Sequence, residues 1–256
     1  MSKIFDSHAH YDSKQFDDDR AELLERLPAM GVGWVVNAAS DLESAQKCVR
    51  LSETFDYIYA AVGVHPHGAD GWNDESEKIL RELAKAPKVV AVGEIGLDYH
   101  YDFSPRDVQK EVFERQIIIA KELSLPIIIH DREAHGDMYE ILRKYAPLTG
   151  VMHCFSGSVE LARETLSIGL HIGLGGAVTF KNARVPVEVA AMVPEDRLLI
   201  ETDCPYMAPV PKRGSRCDSS MISITAQRIA EIRGCTAEDI IELTAKNASR
   251  LFSVDI

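Results

Sequence analysis

The strongest constraint on this chain is a rhythm: short β-branched runs alternate with amphipathic helical stretches from one end to the other. Predicted strands lie at 4–7, 33–37, 57–64, 89–94, 126–130, 150–153, 171–173 and 198–201. Predicted helices lie between and after them, at 18–30, 42–54, 75–85, 106–123, 137–145, 159–167, 186–192, 220–234 and 236–251. Eight strands, each followed by a helix, give an α/β fold in the form of a single (β/α)8 TIM barrel. A doubly wound open sheet is the rival, but no Gly-rich phosphate turn follows the first strand. Two helix starts are marked locally. Ser104-Pro105 reads as a cap followed by proline, and Thr236 with Asp239 reads as a capping box.

The chain has 256 residues, 46% of them hydrophobic, enough for one barrel-sized core, so residues 1–256 are taken as one domain. No run approaches the roughly 20 apolar residues that cross a bilayer, and no signal-peptide core opens the chain. The five cysteines are scattered and form no C-x-x-C pair, which argues against a disulfide framework or a cysteine zinc site. A cytoplasmic location is expected. The formal net charge of −12 argues against a protein that coats nucleic acid through a basic surface. It leaves open an enzyme that grips a few phosphates through bound cations and local arginines. No apolar stripe marks an obligate protein partner.

A barrel of this kind builds its active site at the carboxyl ends of its strands. The chemically capable residues fall there. His8 and His10 end the first predicted strand, His65 and His67 the third, and Glu94 the fourth. His130 ends the fifth, His153 the sixth, and Asp203 follows the eighth. Residues two apart on a strand point to the same side, so both imidazoles of His8-Ala9-His10 can reach one metal at about 2.0–2.1 Å. Two solvated histidines is the plainer alternative. Glu94 ends an apolar strand between glycines, and its two oxygens can bridge two cations; a carboxylate paired with an arginine would look the same. His130 and His153 are each ordinary rim histidines in isolation, but beside Glu94 they complete a second ligand set. Asp203 reads either as a turn residue before a proline or as a ligand and base for a metal-activated water. Cys154 and Cys204 adjoin candidate ligands but point the other way and read as buried small residues. Ser156 lacks the G-x-S-x-G elbow of an acyl-transfer nucleophile.

In order and spacing, these motifs resemble the TatD family of metal-dependent deoxyribonucleases, within the amidohydrolase-like barrel superfamily. The resemblance is carried by Asp6-Ser7-His8-Ala9-His10, Gly63-Val64-His65-Pro66-His67 and Gly93-Glu94-Ile95-Gly96-Leu97-Asp98-Tyr99. It continues through Ile129-His130-Asp131-Arg132-Glu133-Ala134, His153-Cys154-Phe155-Ser156-Gly157 and Glu201-Thr202-Asp203-Cys204-Pro205-Tyr206. It implies two divalent metal ions (zinc, magnesium, manganese, nickel or cobalt), one on His8, His10, Glu94 and Asp203, the other on Glu94, His130 and His153. It implies a hydrolase and nuclease whose substrate is DNA, single-stranded or at its ends. Phosphodiester bonds would be cleaved exonucleolytically between cations about 3.5–4 Å apart. Asp203 would deprotonate the water, and His65 would touch phosphate or leaving group beside a substrate-binding His67. Arg132 and Arg213 would neutralise phosphate oxygens, although Arg132 serves equally as a salt-bridge partner of Asp131 or Glu133. One stretch departs from the family, which often reads Arg-Gly-Lys-Arg-Asn-Glu-Pro where this chain has Arg213-Gly214-Ser215-Arg216-Cys217-Asp218-Ser219. A hydrolase of an aminoacyl ester, lactone or small amide on the same centre is the alternative, because fold does not choose the electrophile. Arg132, Arg213 and Arg216 favour phosphate.

Overall fold

In the computed structural model, which describes residues 2–256, every predicted strand is present and all eight run parallel in chain order. They are β1 (Ile4–Ala9), β2 (Val32–Ala38), β3 (Ile58–Val62), β4 (Val89–Asp98), β5 (Ile127–Arg132), β6 (Gly150–Met152), β7 (His171–Leu174) and β8 (Leu198–Ile200). The helices are α1 (Arg20–Arg26), α2 (Leu42–Thr54), α3 (Asp74–Leu83), α4 (Arg106–Leu123), α5 (His135–Tyr145), α6 (Val159–Ser167), α7 (Arg184–Met192), α8 (Ile222–Arg233) and α9 (Ala237–Phe252). This is the (β/α)8 barrel with one added helix. No described helix is long and apolar enough to cross a membrane.

Inside the ring, Phe5, Val36, Ala61, Ala91, Ile128, Val151 and Leu199, from seven strands, pack into one cluster with Ala248, Leu251 and Phe252 of α9. Phe252 stacks on Phe5 at 6.2 Å. That packing makes the interior a solid floor, so polar chemistry is confined to the strands' carboxyl ends. Thr236 caps α9 in the expected box, its side chain accepting from Asp239 N while the Asp239 carboxylate accepts from Thr236 N.

The ring closes between β8 and β1 at the functional end. Asp203 N donates to His8 O at 3.0 Å and His10 N to Cys204 O at 2.8 Å. Beneath that seam lies the fully buried Asp6. Its Oδ1 accepts from His8 N (3.2 Å) and Thr202 N (3.0 Å), and its Oδ2 from the hydroxyls of Thr202 (2.6 Å) and Ser219 (2.7 Å). Ser219 belongs to the stretch that departs from the family pattern, so that departure is built into the closure.

Three differences from the expected elements have local causes. The helix expected over 18–30 ends at Arg26, because Pro28 has no N–H to continue it. A 3-10 turn over Leu27–Met30 follows, stopped by Gly31 at φ +92°. Ser104 does not cap α4, whose N-cap is Pro105. Its hydroxyl instead donates to His67 O at 3.1 Å and accepts from Asp70 N at 3.2 Å, tying two mouth loops together. Strand β4 runs four residues past Glu94, pairing Ile95 through Asp98 with Ile129 through Arg132. Gly96 permits this close pairing: a Cβ there, at φ +148°, would stand 1.9 Å from His130 O.

Replacing Asp6 by Ala leaves four donors unsatisfied inside the seam, and should cost about 3 kcal/mol or more. A lowered urea midpoint at unchanged m-value is the expected result.

Candidate metal centre

The sheet register breaks at the two strands that carry the centre. In β1 it shifts between Asp6 and Ala9, around His8, and in β4 between Val92 and Ile95, around Glu94. Such irregularities re-aim side chains near functional sites. Here they bring Glu94 under the mouth with its two oxygens facing different neighbours.

On one side, Glu94 Oε2 lies 3.4 Å from His8 Nε2 and 3.4 Å from His10 Nε2. Asp203 Oδ1 completes that group, 3.4 Å from His10 Nε2 and 3.8 Å from His8 Nε2. On the other side, Glu94 Oε1 lies 2.8 Å from both His130 Nδ1 and His153 Nε2, and 3.6 Å from His65 Nε2. All six residues assigned as ligands from the sequence therefore converge, with His65 beside them. His67 is one step removed. Its Nε2 is 2.9 Å from Asp98 Oδ2, and with His65 and Asp98 it forms a further cluster of potential ligands.

The donor set fits divalent cations. His8 Nε2 and His10 Nε2 stand only 3.0 Å apart, while His10 Nδ1 is turned to Ala38 O at 2.8 Å. His10 thus donates from Nδ1, so that its Nε2, once deprotonated, aims a lone pair at its neighbours. Lone pairs and carboxylate oxygens converging this closely repel unless a proton or a cation lies between them. The outer nitrogens of His130 and His153 also face oxygens. His130 Nε2 is 3.1 Å from Asp98 Oδ2, and His153 Nδ1 is 3.4 Å from Glu201 Oε1. Outer carboxylates of this kind orient metal-binding imidazoles and raise their basicity.

The electrostatics agree. Burial opposes ionisation of Glu94, but the charge of His153 and a hydrogen bond from His130 hold its carboxyl well below the usual range. Burial also opposes charge on His10, yet Asp203 and Glu94 raise it to about 9. Burial lowers His8 and takes His65 well down, leaving both neutral at pH 7. His153, despite its burial, is pushed well up by Glu94 and Glu201. Without metal, the carboxylates are thus ionised and His10 and His153 carry protons. Burial pushes the Cys154 thiol well up, which removes it as a thiolate nucleophile, and Cys204 is fully buried under the seam.

The arginines divide. Arg132 and Arg213 are exposed and make no ion pair among the described residues, Arg132 lying over the Tyr101 ring at 4.9 Å and Arg213 over Phe180 at 4.3 Å. The expected alternative for Arg132, a salt bridge to Asp131 or Glu133, is not formed. Arg216 is committed elsewhere: it bonds Asp19 at 2.7 Å and lies over Phe16. Asp98 and Glu201 were not singled out in the sequence. Glu201 had a signal, since it stands two residues before Asp203 as His8 does before His10. Asp98 had less, because the register break at Glu94 disturbs the alternation that would have placed it.

A barrel mouth holding this donor set defines a metal-dependent hydrolase, and comparison with known proteins narrows the class. The family described as TatD related DNase matches residues 5–253. This chain belongs to that family. The uncharacterized metal-dependent hydrolase YabD of Bacillus subtilis (strain 168) is 46% identical over 98% of this chain and 100% of its own length. A protein of Cronobacter sakazakii named 3'-5' ssDNA/RNA exonuclease TatD is 38% identical over 97% of each chain. Among solved structures, YJJV, a TatD homolog from Escherichia coli k12, superposes with a TM-score of 0.92 at 32% identity over 98% of both chains.

Because His10 and His153 hold protons that a metal must displace, binding of Zn2+ or Mn2+ at pH 7 should release protons. The apparent affinity should then rise as pH climbs towards about 9, where His10 deprotonates. Calorimetry in buffers of different ionisation enthalpy measures this directly. Buffer-independent heats and a flat pH profile would contradict the protonation pattern.

Proposed function

We propose that this protein is a metal-dependent exonuclease that removes nucleotides from the 3' end of single-stranded DNA in the cytoplasm. The observation that carries the reading is the two-sided Glu94, whose Oε2 faces His8 and His10, the pair that Asp203 also approaches, while Oε1 faces His130 and His153. Those are the residues that would hold two divalent cations. Cations bound there supply Lewis-acid charge to a phosphodiester and lower the pKa of water.

The chain's own residues perform the remaining tasks. Asp203, with its carboxyl held below its ordinary value against the opposing effect of burial, is ionised at neutral pH. Its side chain is 18% exposed where that of Glu94 is 4% exposed, so it is the carboxylate that meets incoming water. It orients that water and accepts its proton. His65 Nδ1 accepts from His67 N at 3.2 Å, so in its neutral form the proton sits on Nε2, facing Glu94 and the centre. That N–H can donate to a phosphate or leaving oxygen. Arg132 and Arg213, free of carboxylates among the described residues, supply the positive charge at the rim that a net charge of −12 otherwise lacks. The polarity and the single-stranded substrate rest on the relative from Cronobacter sakazakii, which is named a 3'-5' ssDNA/RNA exonuclease. The compartment rests on five free thiols.

The test is cleavage of 3'- and 5'-labelled single-stranded oligonucleotides by metal-stripped protein re-supplied with Mg2+, Mn2+ or Zn2+. Metal-restored shortening from the 3' end is expected, with Asp203→Asn reducing the rate about 10²- to 10⁴-fold. No shortening under any metal would remove the nuclease reading and direct attention to aminoacyl esters and lactones. Equal rates for wild type and Asp203→Asn would remove Asp203 from the chemistry.

A further inference from the structure

Among the described residues three aromatic side chains are exposed, Tyr101, Phe103 and Tyr206, and all three lie on loops that leave the carboxyl ends of strands. Tyr101 and Phe103 are 49% and 65% exposed and stack on one another, their centroids 5.3 Å apart at an interplanar angle of 24°. Arg132 covers Tyr101 at 4.9 Å. The His67 ring stands edge-on to both, 5.3 Å from Tyr101 and 4.8 Å from Phe103. From there the contacts run inward through Asp98 to His130 and Glu94.

The pair is held in place. Asp98 Oδ1 accepts from His100 N at 3.0 Å and Tyr101 N at 2.9 Å, so the carboxylate that orients His130 also anchors the loop. Asp102, at φ +52°, turns the chain between the two rings and is clamped by Arg106 through Nε at 2.9 Å and Nη2 at 2.6 Å. Two apolar rings fixed in water beside a polar centre forgo the stabilisation that burial would bring. Flat faces, an adjacent guanidinium and closeness to a phosphate-reactive centre are the means by which proteins hold unpaired bases.

We propose that Tyr101 and Phe103 form a stacking platform for an unpaired nucleobase next to the phosphate presented to the centre around Glu94. This rests on the nuclease reading and extends it to the source of strand selection. A base within a duplex already stacks on its neighbours and is not free to occupy the platform, so the platform favours single strands.

The experiment compares kcat/KM on a single-stranded oligonucleotide with kcat/KM on the same strand carrying abasic sites in its last nucleotides. Wild type is expected to favour the normal strand by about tenfold or more. Phe103→Ala and the double variant Tyr101→Ala/Phe103→Ala should lose most of that preference, while Phe103→Trp retains it. Wild type that cleaves both strands equally, or alanine variants that still discriminate, would overturn the platform and leave the nuclease standing. Failure of metal-loaded wild type to cleave either strand would overturn both. Sedimentation showing a dimer that Phe103→Ala dissociates would assign the rings to a second copy of the chain and overturn the platform.

Discussion

Everything at the mouth of this barrel is arranged around a single buried carboxylate. Glu94 is 3% exposed and sits among histidines from β1, β5, the loop after β3 and the loop after β6. A buried negative charge is costly unless it is paired, and here it is paired from both sides. One oxygen faces His8 and His10 at the end of β1, and the other faces His130 and His153 at the ends of β5 and β6. The two halves of the centre thus come from opposite sectors of the ring and meet at Glu94, beside which His8 stacks on His153 at 3.9 Å. Every element that fixes its position is thereby coupled to the chemistry.

The barrel supplies that position by several independent means. The register break in β4 aims Glu94 inward, and the bare Cα of Gly96 lets β4 run close against His130 O. Asp6 and Ser219 close the seam that sets the spacing between His8 and Asp203. Asp203 itself is held at φ +60°, in the left-handed region that most L-residues avoid. Asp98 links three parts of the mouth: it faces His130 and His67 through Oδ2 and anchors the Tyr101 loop through Oδ1. Its carboxyl is held far below the ordinary range by His130 and the Tyr101 amide in spite of burial.

Much of this was legible in the sequence, for a physical reason. A parallel barrel puts every strand end on one face, so once the alternation gives the fold, residues at strand ends become neighbours whatever their separation in the chain. That logic located His8, His10, Glu94, His130, His153 and Asp203. It was less able to see residues whose role depends on departures from regular geometry. Asp98 lies beyond the break in β4, and Ser104 looked like a helix cap when it bridges two loops. Arg216, expected among the phosphate-binding cations, is taken by Asp19 on the loop before α1, a long-range pair that no local pattern encodes. The exposed rings of Tyr101 and Phe103 were invisible for the same reason, since an aromatic residue in a sequence reads as core until its surroundings are known.

The bridging role of Glu94 is tested most directly by anomalous diffraction from crystals loaded with Mn2+ or Zn2+. Two anomalous peaks are expected, one among His8, His10, Asp203 and Glu94 Oε2, the other among His130, His153 and Glu94 Oε1. A single peak, or peaks that leave either Glu94 oxygen without a metal, would contradict it.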